Sequence, residues 1–188
     1  MAALSYADVE AYTKGRLQAE DVEVQRLFDA ALRAARNYCG WHVTPVVDDE
    51  VLELDGHGGH VLALPTRKII NVSIVEDGVA IDTQTQLRVS KSMGLVRKRS
   101  GACWTDQYGA IAVTMTHGHE TAPDFDLAVL TCVDKVALSV GMSSEARGSG
   151  GALTKKRVDD VEYNWSDRDV EEALNTSWLD SYRRIIYT

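Results

Sequence analysis

The chain has 188 residues, 45% of them apolar, enough to bury one good core but short for two full-sized domains. Twenty Lys and Arg against 28 Asp and Glu leave a formal charge of −8, which argues against a surface built to grip nucleic-acid phosphates. No apolar run approaches the roughly 18 to 20 residues that cross a bilayer, and Met1 to Asp8 contain no basic stretch leading into an apolar one, so neither membrane anchoring nor export is expected. Three cysteines, Cys39, Cys103 and Cys132, are odd in number and set among apolar or small neighbours, the pattern of buried free thiols in a reducing cytosol.

Ser5, with Asp8 three positions on, predicts a short entry helix over 5–14 that Gly15 stops. From 20 to 39 the apolar positions Leu27, Phe28, Ala31, Leu32, Ala35 and Tyr38 recur at spacings of three and four, predicting a long amphipathic helix ended by Gly40. The period then changes to that of antiparallel strands, with candidates at 50–54, 60–64, 69–76, 86–89, 95–98 and 110–117. Asp77-Gly78 is a two-residue hairpin signal, because both central positions want positive φ. Pro123 opens a second long helix over 124–141 whose stripe runs Phe125, Ala128, Val129, Cys132, Val133, Val136 and Ala137.

Ser143 to Gly151, with Gly148 and Gly150 inside it, has the small polar composition of a flexible loop. Val161, Tyr163 and Trp165 then alternate with polar residues like an edge-seeking strand, and Ser166 with Asp169 caps a terminal helix carrying Val170, Leu174, Trp178, Tyr182 and Ile185. The expected class is therefore α+β: a helical bundle of two long helices with an inserted small antiparallel β meander or sandwich, plus an extended C-terminal strand and helix arm. Its expected divisions are a core at 1–142 with the β insertion at 46–118, a flexible loop at 143–157 and the arm at 158–188.

His117-Gly118-His119-Glu120, joined by His57 and His60, has residue types that bind transition metals, but the spacing suits a turn better than a metal site. The glycine loops at 55–59 and 148–151 lack the Lys-Ser or Lys-Thr that would complete a phosphate cradle, and no serine sits in a nucleophile elbow. No catalytic residue, metal ligand or cofactor is assigned. Arg67, Lys68, Lys91, Arg97, Lys98 and Arg99 form a basic cluster that reads as a solvated sheet face, with contact to a nucleic-acid backbone as the competing reading. Trp178, Tyr182, Ile185, Ile186 and Tyr187 are more apolar than an unpacked tail should be: they either fold back on their own core or dock on another subunit.

Three stretches carry a family resemblance: Ala35-Arg36-Asn37-Tyr38-Cys39-Gly40-Trp41, Leu62-Ala63-Leu64-Pro65-Thr66-Arg67 through Val75-Glu76-Asp77-Gly78, and Val113-Thr114-Met115-Thr116-His117-Gly118-His119-Glu120 running to Pro123. In this order they make nearly the whole chain resemble the head-to-tail adaptor, or connector, proteins of long-tailed bacteriophages. The resemblance implies a non-enzymatic virion structural protein at the neck, assembled in the host cytoplasm as a homo-oligomeric ring of about twelve copies. Such a ring would bind the portal protein above and a head-closure (stopper) or other neck protein below. It would extend the channel through which genomic DNA passes without sequence-specific binding, and an acidic lumen would let phosphates slide. Portal contact falls on Tyr163, Trp165, Trp178, Tyr182, Ile185, Ile186 and Tyr187, with Ser143, Gly148, Gly150 and Gly151 giving the arm its reach. A tail-completion or head-closure subunit is the main alternative, and a small metal-binding enzyme a distant one.

Overall fold

A computed structural model describes residues 3–141 and 165–184, which gather into two compact units. The first, the β unit, holds residues 39–122 and 182–184; the second, the helical unit, holds 3–38, 123–141 and 165–181.

In the β unit the strands are β1 (Val47–Leu54), β2 (Val61–Ala63), β3 (Ile69–Glu76), β4 (Val79–Ile81), β5 (Leu87–Ser90), β6 (Leu95–Lys98) and β7 (Ile111–His117). They form two antiparallel sheets, one in the order β1-β7-β3-β4 and the other in the order β2-β6-β5. A simple meander would keep chain neighbours side by side; here β7 lies between β1 and β3, so the last strand is the central one. Its side chains explain that place. Ile111, Val113, Met115 and His117 are all buried while Ala112, Thr114 and Thr116 turn outward, so one face must be covered and both edges can be paired.

Both sheets feed a single apolar cluster. Ile69, Val72, Ile74, Ile111, Val113 and Met115 come from the larger sheet, and Leu62, Leu87 and Val96 from the smaller, with Leu64 and Trp104 from connections. The Asp77-Gly78 turn forms as its sequence predicts, with φ of 50° and 77° and Glu76 opposite Val79. It also adds β4, which the strand assignments from sequence lacked. At the β5–β6 turn Gly94 has φ of 67°, and its Cα faces the Thr66 carbonyl so closely that a Cβ there would overlap the oxygen.

In the helical unit α1 (Tyr6–Tyr12) starts where Ser5 donates its N–H to the Asp8 carboxylate at 2.8 Å. Helix α2 (Val22–Cys39) is begun by Asp21, which accepts the Glu23 N–H at 3.1 Å, and is ended by Gly40 at φ of 73°. Helix α3 (Pro123–Ser139) buries the seven-residue stripe from Phe125 to Ala137 that the sequence marks. Its exposed side is tied to the N-terminal segment by an Arg16–Asp134 ion pair and a 3.1 Å bond between the Tyr12 and Thr131 hydroxyls. Helix α4 (Asp167–Ala173) carries the Ser166/Asp169 capping box, with Ser166 N–H to Asp169 at 2.7 Å and Asp169 N–H to the Ser166 hydroxyl at 3.3 Å. The Cys132 thiol on α3 donates to the Val170 carbonyl at 3.3 Å, and burial pushes its pKa up to about 11, so it stays a thiol.

Two expectations are corrected. The terminal helix is not continuous to 185: α4 stops at Ala173 and is followed by single 3₁₀ turns at Thr176–Trp178 and Asp180–Tyr182. Leu174 closes it in extended backbone at φ −68° and ψ 126°, and the residues that follow, Asn175, Thr176 and Ser177, have low helix propensity. Cys103 is exposed, unlike Cys39 and Cys132, because the loop that follows β6 lifts it out beside His60. The alternating segment expected at 158–165 lies outside the described residues up to 164.

Gly94→Ala should lower stability by about 2 kcal/mol or more, whereas Gly59→Ala, which meets nothing within 4 Å and has no positive φ, should be nearly neutral. Urea unfolding midpoints of the two variants check this.

Candidate functional site

The chain leaves α2 through Cys39, Gly40 and Trp41, and β7 returns to the same end of the β unit through Gly118 and His119. His119 N–H bonds the Val43 carbonyl at 2.8 Å, and Gly118, at φ of 113°, passes so close that a Cβ would stand 2.6 Å from the Pro45 oxygen. Only glycine fits there, which gives the Thr-His-Gly stretch its reason.

On this end sits a cluster of rings. The Trp41 ring contacts His42 (5.5 Å between centroids) and His119 (5.7 Å), and His42 meets His117 edge-on at 4.5 Å. His117 Nε2 bonds Glu50 at 2.5 Å, His42 Nε2 donates to the Pro45 carbonyl at 2.8 Å, and His119 packs edge-on against the Tyr182 ring at 5.5 Å.

The same cluster grips the C-terminal segment by its backbone. Trp41 Nε1–H donates to the Tyr182 carbonyl at 2.6 Å, Arg67 donates to the Arg183 carbonyl at 2.9 Å, and the Arg184 N–H donates to the Cys39 carbonyl at 2.8 Å. Three consecutive residues are thus held by three bonds, each worth on the order of 1 kcal/mol. Burial, with Lys68 and Arg67 close by, pushes the His119 pKa below its ordinary value, so the neutral ring is the form that packs.

The histidine-rich constellation therefore divides. His117 and His119 join the clasp on opposite sides of Gly118, while His57 caps its own loop through the Asp55 carbonyl and His60 lies by Cys103. Among the described residues no group of three or more His, Cys, Asp and Glu could hold a metal ion.

Of the tail residues singled out from sequence, Tyr182 is in the clasp, Trp178 is 37% exposed on its 3₁₀ turn, and Trp165 is half-buried ahead of α4. Between Trp178 and Tyr182, Leu179 is fully buried, and the Tyr38 hydroxyl donates to Asp180 at 2.6 Å. Tyr163, Ile185, Ile186 and Tyr187, with Ser143, Gly148, Gly150 and Gly151, lie outside the described residues. Trp41 and Arg67 were not legible as partners of the tail, since their contacts to it span more than a hundred residues.

The basic cluster separates too. Lys98 turns inward over the Trp104 ring at 4.9 Å and pairs with Glu76 at 2.6 Å, Lys91 donates to the Ile70 carbonyl at 2.9 Å, and Arg99 donates to the Leu87 carbonyl at 2.9 Å. Arg97 stands outward, opposite Arg88 on the neighbouring strand, with no hydrogen bond or ion pair among the described residues.

Neither a protein-family model nor a curated protein sequence matches the chain. Solved structures do match in fold. A chain in the neck of a native GTA particle computed with C12 symmetry aligns over 100% of this chain and 95% of its own length, with a TM-score of 0.56 and 12% identity. A chain in the neck of an empty GTA particle computed with C6 symmetry aligns with the same coverage, a TM-score of 0.55 and 14% identity. No helix among the described residues is long and apolar enough to cross a membrane.

The lowered His119 pKa has a signed consequence. Below the ordinary value of 6.5 the unfolded chain takes up a proton that the folded chain resists, so this group removes stability as pH falls through that window. His119→Gln should flatten that part of the decline, measured as urea midpoints from pH 7.5 down to pH 5.

Proposed function

We propose that the chain is a structural subunit of the neck of a phage-like particle, a head-to-tail adaptor that assembles as a ring of about twelve copies beneath the portal. The observation that carries this reading is the full-length likeness in fold to chains of two gene transfer agent necks. A fold alone does not assign a role; the support is that the likeness runs through both units and the connections, in the same order as the sequence stretches that resemble adaptors. The work of such a subunit is assembly and channel formation, with no bond chemistry. A charge of −8 per copy suits a conduit through which DNA phosphates slide without sticking.

The clasp adds detail to how the tail would act. Tyr182, Arg183 and Arg184 are anchored by their backbones within the β unit. We place the portal contact on Ile185, Ile186 and Tyr187, with Trp178, Tyr182 and the Tyr163–Trp165 stretch contributing, and with the loop from Ser143 to Gly151 supplying slack. Truncation after Trp165 would be a poor test, because Val170 and Leu179 are buried and their loss would strip cover from the helical unit.

Truncation after Arg184 spares that core. It should abolish binding to the portal protein of the same particle while leaving thermal unfolding unchanged, and Trp178→Ala should weaken binding about tenfold. Electron microscopy of the chain produced together with portal should show a coaxial ring stacked on it. A chain that never forms that ring would remove the adaptor reading, and a truncated chain that binds portal normally would remove the tail from it.

A further inference from the structure

The two sheets of the β unit share one core, so their outward faces point in opposite directions. The charges on those faces are opposite as well. On the three-stranded sheet Arg88 lies directly across from Arg97, and both are exposed with no carboxylate or hydrogen-bond partner among the described residues. Like charges placed opposite each other across strands are destabilising, and none of the described residues offsets this pair. Val61, on the far side of Arg97 in the same row, is 38% exposed.

On the four-stranded sheet the edge strand β1 shows Val51, 70% exposed, between Asp49 and Glu53. The bulge between Val47 and Glu50 sets Asp49 against the Thr116 hydroxyl, on the outward side, and Glu53 pairs with outward-facing Ala112. Thr114 and Ser73 continue Val51's row, small and uncharged. Neither Asp49 nor Glu53 forms an ion pair among the described residues.

Each face thus offers an exposed valine beside two unpaired charges of one sign. We propose that neighbouring copies dock through these faces, Asp49, Val51 and Glu53 of one copy meeting Arg88, Arg97 and Val61 of the next. Because the faces differ and lie on opposite sides of one unit, the contact is head-to-tail, the kind that closes into a ring when the rotation permits. The inference rests on the ring reading above and names its contact. In the contact each carboxylate faces a guanidinium, the valines are covered, and the repulsion between Arg88 and Arg97 is offset.

Two charge-reversed chains test it, each produced with portal: R88E/R97E, and D49K/E53K. Either alone would set like charges against like, and ring yield by native mass spectrometry should fall about tenfold or more. Mixed one to one, the two chains should restore rings in which they alternate, because each mutated face then meets its opposite. Unchanged circular dichroism and unfolding midpoints show that each variant folds. Rings from either variant alone, or no recovery in the mixture, would overturn this contact while a wild-type ring keeps the adaptor reading intact. Rings unaffected by R88E/R97E together with weakened binding of duplex DNA would also overturn it, giving the arginines to nucleic acid. A wild-type chain that forms no ring on portal would instead remove the underlying reading.

Discussion

The pairing of β1 with β7 is the constraint from which the rest of the β unit follows. Val47 opposes His117 across some seventy intervening residues, and the ladder holds through Leu54 opposite Ile111. Closing a loop of that length costs entropy that grows only slowly with its size, and two complete ladders on β7 repay it. Once formed, the pairing brings residues 39–46 beside 117–119. That adjacency builds the ring cluster, in which Trp41 donates to the Tyr182 carbonyl and, two residues before it, the Cys39 carbonyl accepts from the Arg184 N–H.

Local signals were legible where the physics is local. The capping pairs Ser5/Asp8 and Ser166/Asp169, the stripe on α3, the stop at Gly40 and the Asp77-Gly78 hairpin are all decided within a few residues, and each appears where the sequence puts it. The terminal helix ends early for an equally local reason. Its apolar spacing continues, but Leu174 leaves the helical region and three polar residues of low helix propensity follow in a row. Strand order was not legible, since alternation says which face is buried and nothing about which strand comes next.

The site was legible only in part. The histidines stood out as residue types, yet their roles depend on Glu50, Trp41 and Tyr182, none of them near in sequence. The basic cluster likewise looked uniform along the chain. Folding sorts it by pleat: Lys98 falls on the inward side and becomes a structural cation between Glu76 and Trp104, while Arg97, one residue earlier, faces out.

The Arg88–Arg97 row also bears on kinetics. Charge on an exposed face acts beyond contact distance, to about 8 Å at physiological ionic strength, so it biases how two subunits approach before any surface is buried. In the proposed ring, a copy presenting arginines on one side and carboxylates on the other would turn as it nears another and be slowed when it arrives the wrong way round. Fields of this kind act more on encounter rate and orientation than on final affinity. The row that costs the lone subunit stability would therefore serve as a polarity mark, keeping successive copies facing the same way as they add to a growing arc.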